Sequence, residues 1–264
     1  MSAPVPVVFL HGLWLHATAW DPWLELFAKE GYAPIAPGRP GESPTVIATR
    51  ERPVGRGDHG IDDVVTHVAR IIRGLDSTPV LVGHSFGGMI AQRLLRLNLA
   101  RAVVAIDAAQ IRGVLPVPLS ALRAALPGNP ANEHRPTTSL SAEQFRFAFG
   151  AAISAIEAQA LFERWAIPAP TPLLFEFAAA NFDRPTADAV DPADRPRAPL
   201  LLMVGGRNHT LPETVVRAAL QRYRHEDAVT DIVEFADRGH SLTVDRRWRE
   251  VADTALAWLR RQPG

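Results

Sequence analysis

The sequence predicts an α/β fold with a mostly parallel central sheet covered by helices on both faces. Three observations carry this. Six short apolar runs of β type recur along the chain, amphipathic helical patterns separate most of them, and one run passes through a glycine-flanked serine directly into a helical pattern. Strands buried on both faces read as near-continuous apolar runs, whereas half-exposed strands alternate.

The first run, VPVVFL (5–10), leads into HGLW (11–14). A His-Gly pair there lets the chain turn sharply and brings one backbone N–H, that of Leu13, to the sheet's carboxyl edge; taken alone, it also fits a plain strand-to-loop glycine. The stretch WDPWLELFAKEG is an early amphipathic helix, followed by the run YAPIAP (32–37). From 61 to 75, Ile61, Val64, Val65, Val68, Ile71, Ile72 and Leu75 fall on one helical face.

PVLVGH (79–84) continues as GHSFGGMI, so that Ser85 is flanked by Gly83 and Gly87 at a strand-to-helix turn. This is the arrangement of a nucleophile elbow, and in it the Phe86 amide is freed to face a developing oxyanion. A bystander serine in a Gly-rich turn is the bland alternative. His84 adjoins the serine, with its side chain expected to point the other way along the strand. RAVVAID (101–107) ends on Asp107, which reads either as a carboxylate at the sheet edge or as a cap on the following turn.

Residues 110–196 break the alternation. Segments rich in Ala and Phe, such as 141–165, are separated by Pro-rich joints, and no strand pattern stands out. This reads as a helical cap inserted before the last two strands, with 1–109 and 197–264 forming the core. Its aromatics are Phe145, Phe147, Phe149, Phe162, Trp165, Phe175, Phe177 and Phe182. Most are expected to pack the cap onto the sheet and a minority to wall an apolar pocket. Trp14, Trp165, His11, His84 and His209 are the candidate pocket residues.

PLLLMVG (199–205) ends on Gly205-Gly206 and presents Arg207, Asn208 and His209. TDIVEFA (230–236) is the last run. The loop DRGHSLTVD (237–245) follows it, placing His240 behind a glycine at the same sheet edge. A serine hydroxyl needs a positioned base to take its proton, and His240 is the histidine placed to serve. The closing helix carries Trp248, Val251, Ala252, Ala255, Leu256 and Leu259 on one face.

Composition narrows the function classes. The 264 residues are 47% apolar with a formal net charge of zero, which argues against nucleic acid or anionic lipid as the main partner. There is no cysteine, so disulfides, thiolate metal sites and thiol nucleophiles are excluded, and no H-x-H or H-E-x-x-H spacing suggests a metal. Lys29, the one lysine, leaves almost no candidate for Schiff-base chemistry. The first apolar run is too short for a signal or membrane segment, so the cytoplasm is the expected compartment.

The order HG, GHSFGG and a late GH resembles the α/β-hydrolase fold over roughly 5–260, in particular its cofactor-free esterase, lactonase and non-haem haloperoxidase-like members with a helical cap. GRPGES (38–43) is similar to that family's loop after its third strand. The resemblance implies Ser85 as nucleophile, His240 as base, Leu13 and Phe86 as oxyanion donors, no cofactor, and a carboxylic ester or lactone of modest size as substrate; the fold leaves the substrate itself open, and the cap aromatics point to an apolar one. One position departs. The family frame G-x-x-D-x-x-x-P reads here Gly205-Gly206-Arg207-Asn208-His209-Thr210-Leu211-Pro212, with Asn208 in the acid's place. Three readings follow: Asp107 supplies the carboxylate, Asn208 suffices for an undemanding reaction, or the site binds without turnover. A lyase, isomerase or cyclase using His240 as base is a further alternative on the same fold.

Overall fold

The computed structural model describes residues 3–53, 60–108, 137–179, 197–208 and 228–262, with backbone alone at 175 and 177–179. Six strands form one sheet: β1 (Pro6–Leu10), β2 (Ala33–Ile35), β3 (Val80–His84), β4 (Ala102–Ile106), β7 (Leu200–Gly205) and β8 (Thr230–Phe235). Their spatial order is β2-β1-β3-β4-β7-β8, and every pairing is parallel. β1, β3, β4 and β7 are buried at every residue, as their unbroken apolar runs require.

Period-two geometry divides these strands between two cores. Val8, Leu10, Leu81, Val103 and Leu202 face one cluster with α3 (Ile61–Arg73) and α4 (Phe86–Arg96). Val7, Phe9, Val82, Val104 and Met203 face the other with α1 (Asp21–Lys29) and α8 (Trp248–Leu259). Each helix thus inserts its apolar stripe against one side of the sheet, and the polar edge of the strands' carboxyl ends is left to the loops.

The helical pattern over 141–165 resolves into two helices, α5 (Ala142–Phe149) and α6 (Ala155–Trp165). The break follows local chemistry: Gly150 closes the first helix, and Ser154 opens the second by accepting from the Glu157 N–H at 3.1 Å. α7 (Thr171–Ala179) follows, and a short α2 (Val46–Glu51) lies earlier in the chain. Contrary to the strand-free expectation for this region, β5 (Thr137–Thr138) pairs antiparallel with β6 (Ala169–Pro170). Such a two-residue ladder leaves no apolar periodicity to read.

The end of α6 joins the loop after β1. Leu15 and Ala166 form an antiparallel bridge, with His16 N–H to Trp165 O at 3.1 Å and Ile167 N–H to Trp14 O at 3.0 Å. Arg50 then caps α6 by donating to the carbonyls of Phe162, Glu163 and Ala166 at 2.8–3.0 Å.

Candidate active site

Ser85 sits between β3 and α4 with φ 54° and ψ −118°, a backbone conformation that side chains rarely adopt. The turn exists because of its glycines. A Cβ on Gly83 would lie 2.3 Å from Gly87 O, and one on Gly87 would lie 2.1 Å from Leu10 O. Phe86 is the first helical residue, so its N–H has no acceptor within the helix. Gly12 brings the loop after β1 against the serine, since a Cβ there would be 3.3 Å from Ser85 Cβ.

His240 Nε2 lies 3.1 Å from Ser85 Oγ. On its other side, Nδ1 is 2.9 Å from the Asn208 amide nitrogen and 3.6 Å from Asp107 Oδ2. Asp107 is fully buried and also has a left-handed backbone, φ 41°. Its Oδ1 accepts from the Gly205 N–H at 2.8 Å, while Oδ2 is buried without a hydrogen-bond partner. Holding a non-glycine residue in this conformation costs roughly 1–3 kcal/mol, and such strain gathers at functional sites. The Asn208 amide can present either of its ends. With nitrogen towards Nδ1 it donates, which leaves the ring proton on Nε2; with oxygen there it accepts from Nδ1–H and frees Nε2 to take a proton.

The alpha/beta hydrolase family's model matches residues 7–254. The chain belongs to that family. No curated protein matches this hydrolase-family sequence. Its fold is shared with an extracellular alpha/beta-hydrolase from a Paenibacillus species at 18% identity, over 96% of this chain and 98% of the other, with a TM-score of 0.67. A methylesterase from Arabidopsis aligns at 15% identity over 97% and 99%, with a TM-score of 0.66. A putative non-heme bromoperoxidase from Mycobacterium tuberculosis aligns at 19% over 100% and 95%, with a TM-score of 0.68.

Around the hydrolase-family core, the remaining candidate residues fall in different places. His84 does not point away from the site. Its ring lies 4.6 Å from that of His240, and its Nε2–H donates to the His240 backbone carbonyl at 3.0 Å. Strand alternation turns His84 away from Ser85, but the 239–241 loop passes on that side and meets it there. Burial, and then the neighbouring His240, hold the His84 imidazole well below the usual histidine range, so it is neutral. His11 is buried beside Glu42 with its Nε2 3.3 Å from Oε2. Trp14 is buried in the core at 8% exposure. Trp165 carries the Arg164 guanidinium 4.4 Å above its ring and lines a side cleft of about 310 Å³ whose walls include Leu161, Val244 and Trp248 but not Ser85. His209 and Phe182, and the side chains of Phe175 and Phe177, lie outside the described residues.

Of the aromatics that follow β5, Phe149 reaches the site, with its ring centroid 5.0 Å from that of His240. Phe145 stacks behind it at 4.5 Å, Phe162 packs edge-on against Phe145, and Phe147 is half exposed. Sequence reasoning left this aromatic undistinguished among eight; its place follows from the turn at Gly150, whose neighbour Ala152 touches Gly239. His84, Asp107 and His240 offer ligand atoms within 4.8 Å of one another, a donor set that could take a transition metal. The same three side chains are engaged in the contacts just described.

Proposed function

We propose that the chain is a serine hydrolase of a carboxylic ester or lactone, with Ser85 as nucleophile and His240 as general base. The observation that carries this is the 3.1 Å approach of His240 Nε2 to a strained, glycine-flanked Ser85, with a buried carboxylate behind the imidazole. In the first half-reaction Ser85 Oγ attacks the substrate carbonyl as His240 Nε2 takes its proton. The N–H groups of Leu13 and Phe86 receive the oxyanion, and His240 then returns the proton to the leaving alkoxide. Water repeats the sequence to release the acid.

Asp107 is the group best suited to balance the imidazolium, because it brings a charge where Asn208 brings only a dipole. Its bare Oδ2 gains a partner when Nδ1 carries a proton. Asn208 then fixes the ring from the side. The 110–196 segment acts as a cap, with Phe149 as its contact on the catalytic histidine, and this apolar roof favours neutral acyl groups.

The deciding experiment is labelling with a fluorophosphonate, followed by turnover of a neutral aryl ester. Labelling at Ser85 and loss of both signals in Ser85→Ala are expected. Wild-type turnover in Ser85→Ala would sink hydrolysis at this elbow, and labelling without ester turnover would point to non-hydrolytic chemistry.

A further inference from the structure

We propose that Glu42 is a positioning residue for the oxyanion-holding peptide, acting through His11 and Arg39. The inference rests on the reading above, in which the Leu13 N–H receives the oxyanion.

Glu42 occupies the GRPGES loop, and its side chain is 2% exposed. Its Oε2 lies 3.3 Å from His11 Nε2 and 3.3 Å from Arg39 Nε, while Oε1 accepts from the Ala17 N–H at 3.2 Å and lies 3.6 Å from His16 Nε2. Burial alone would raise the Glu42 carboxyl. The surrounding His11, Arg39 and His16 groups outweigh it and hold the carboxyl well below the ordinary range, so Glu42 is ionised.

The far ends of two of these partners grip the loop after β1. His11 Nδ1 lies 2.9 Å from Gly12 O, and a carbonyl only accepts, so Nδ1 carries a proton. Its Nε2 faces the Glu42 carboxylate at 3.3 Å, so the ring is held between that carboxylate and the Gly12 carbonyl. Arg39 Nη1 donates to Leu13 O at 2.7 Å. One carboxylate oxygen therefore contacts both His11 and Arg39, and these two side chains reach the carbonyls on either side of the Leu13 N–H.

The geometry of the peptide unit completes the link. Gly12 C=O and Leu13 N–H belong to one planar trans peptide and point in opposite directions. Fixing Gly12 O fixes the direction of the Leu13 N–H, and a hydrogen-bond donor on that oxygen polarises the N–H as a donor. An oxyanion donor must be set in place before charge develops, and removing one costs about 10²–10³ in kcat. Misaligning it costs part of that.

The test measures kcat, KM and boronic-acid affinity in Glu42→Gln and His11→Asn, each first checked for folding. His11→Asn removes the imidazole and leaves the Arg39–Glu42 pair intact, so it carries the test if Glu42→Gln does not fold. The expectation is a fall in kcat of about 10- to 100-fold with KM within about twofold. Affinity for a boronic acid, which mimics the tetrahedral oxyanion, should fall by the same factor as kcat/KM, whereas a merely structural role would leave that affinity unchanged. Wild-type kcat in a folded variant, or failure of both variants to fold, would overturn the proposal. Loss of the hydrolase reading is separately visible, as wild-type activity in Ser85→Ala.

Discussion

Asp107 Oδ2 and His240 Nδ1 lie 3.6 Å apart, with the carboxylate fully buried and otherwise unpartnered at that oxygen. Asp107 follows β4, whereas Asn208 follows β7 at the position where the family resemblance implies an acid; on the proposed reading Asp107 orients His240. Asp107→Asn should therefore lower kcat by about 10³–10⁴, the scale set by the corresponding change in serine proteases. Steady-state kinetics on an aryl ester read this directly.

Asn208→Asp tests the same relationship from the other side. Two carboxylates would then face one imidazole, and one of them would tend to remain protonated. Activity should stay level or fall. A gain of a power of ten or more would show that Asn208 is the deficient member and Asp107 a bystander. The decisive measurement is kcat for both variants under one set of conditions.

Phe149 packs against His240, with ring centroids 5.0 Å apart. Phe149→Leu should cost about 1 kcal/mol of stability, as near-volume-conserving core changes do. It should also lower kcat several-fold by loosening the imidazole. Unchanged kcat alongside the stability loss would reduce Phe149 to packing alone.

Stability should fall on acidification in two stages. His84 has its pKa depressed from 6.5 by burial and His240, so below about pH 6.5 the unfolded chain takes up a proton that the native chain refuses. Glu42 is depressed from 4.5, burial being outweighed by His11, Arg39 and His16, and adds a second loss below about pH 4.5. Urea midpoints between pH 7.5 and 4 should decline. In His84→Gln the decline between 6.5 and 5 should flatten, and an equally steep slope in that variant would contradict the assignment.

Arg50→Ala should unfasten the end of α6, exposing three carbonyls that the guanidinium now satisfies. The cost is about 1 kcal/mol. Amide exchange near 162–167 should accelerate more than exchange in the sheet. Arg50→Lys should recover only part, because an ammonium cannot span three acceptors with a planar fork.

How much of this was legible in the sequence depended on the range of the interaction. Ser85 and its elbow were readable because Gly83 and Gly87 are local requirements of one turn. His240 was readable because it follows a strand and a glycine. Asp107 and Asn208 could both be named but not ranked, since their distances to one ring depend on how β4 and β7 end side by side. Glu42 gave no signal beyond a loop resemblance: its partners come from residues 11, 16, 17 and 39, gathered by the parallel pairing of β1 with β2. His84 takes the face that strand alternation gives it, away from Ser85, but alternation says nothing of which distant loop lies on that face, so its contact with His240 was not legible.

The bridge between Leu15 and Ala166, flanked by backbone bonds at 16 and 167, has a consequence for how this scaffold can be recombined. The loop after β1 and the end of α6 share one hydrogen-bonded seam, so neither is an interchangeable cassette. A graft that replaces 141–165 with the corresponding helices of a relative must carry its junction with it, or the residues next to the serine lose their footing. Altered substrate choice in such chimaeras would then arise from displaced main chain as much as from new side chains in the grafted helices.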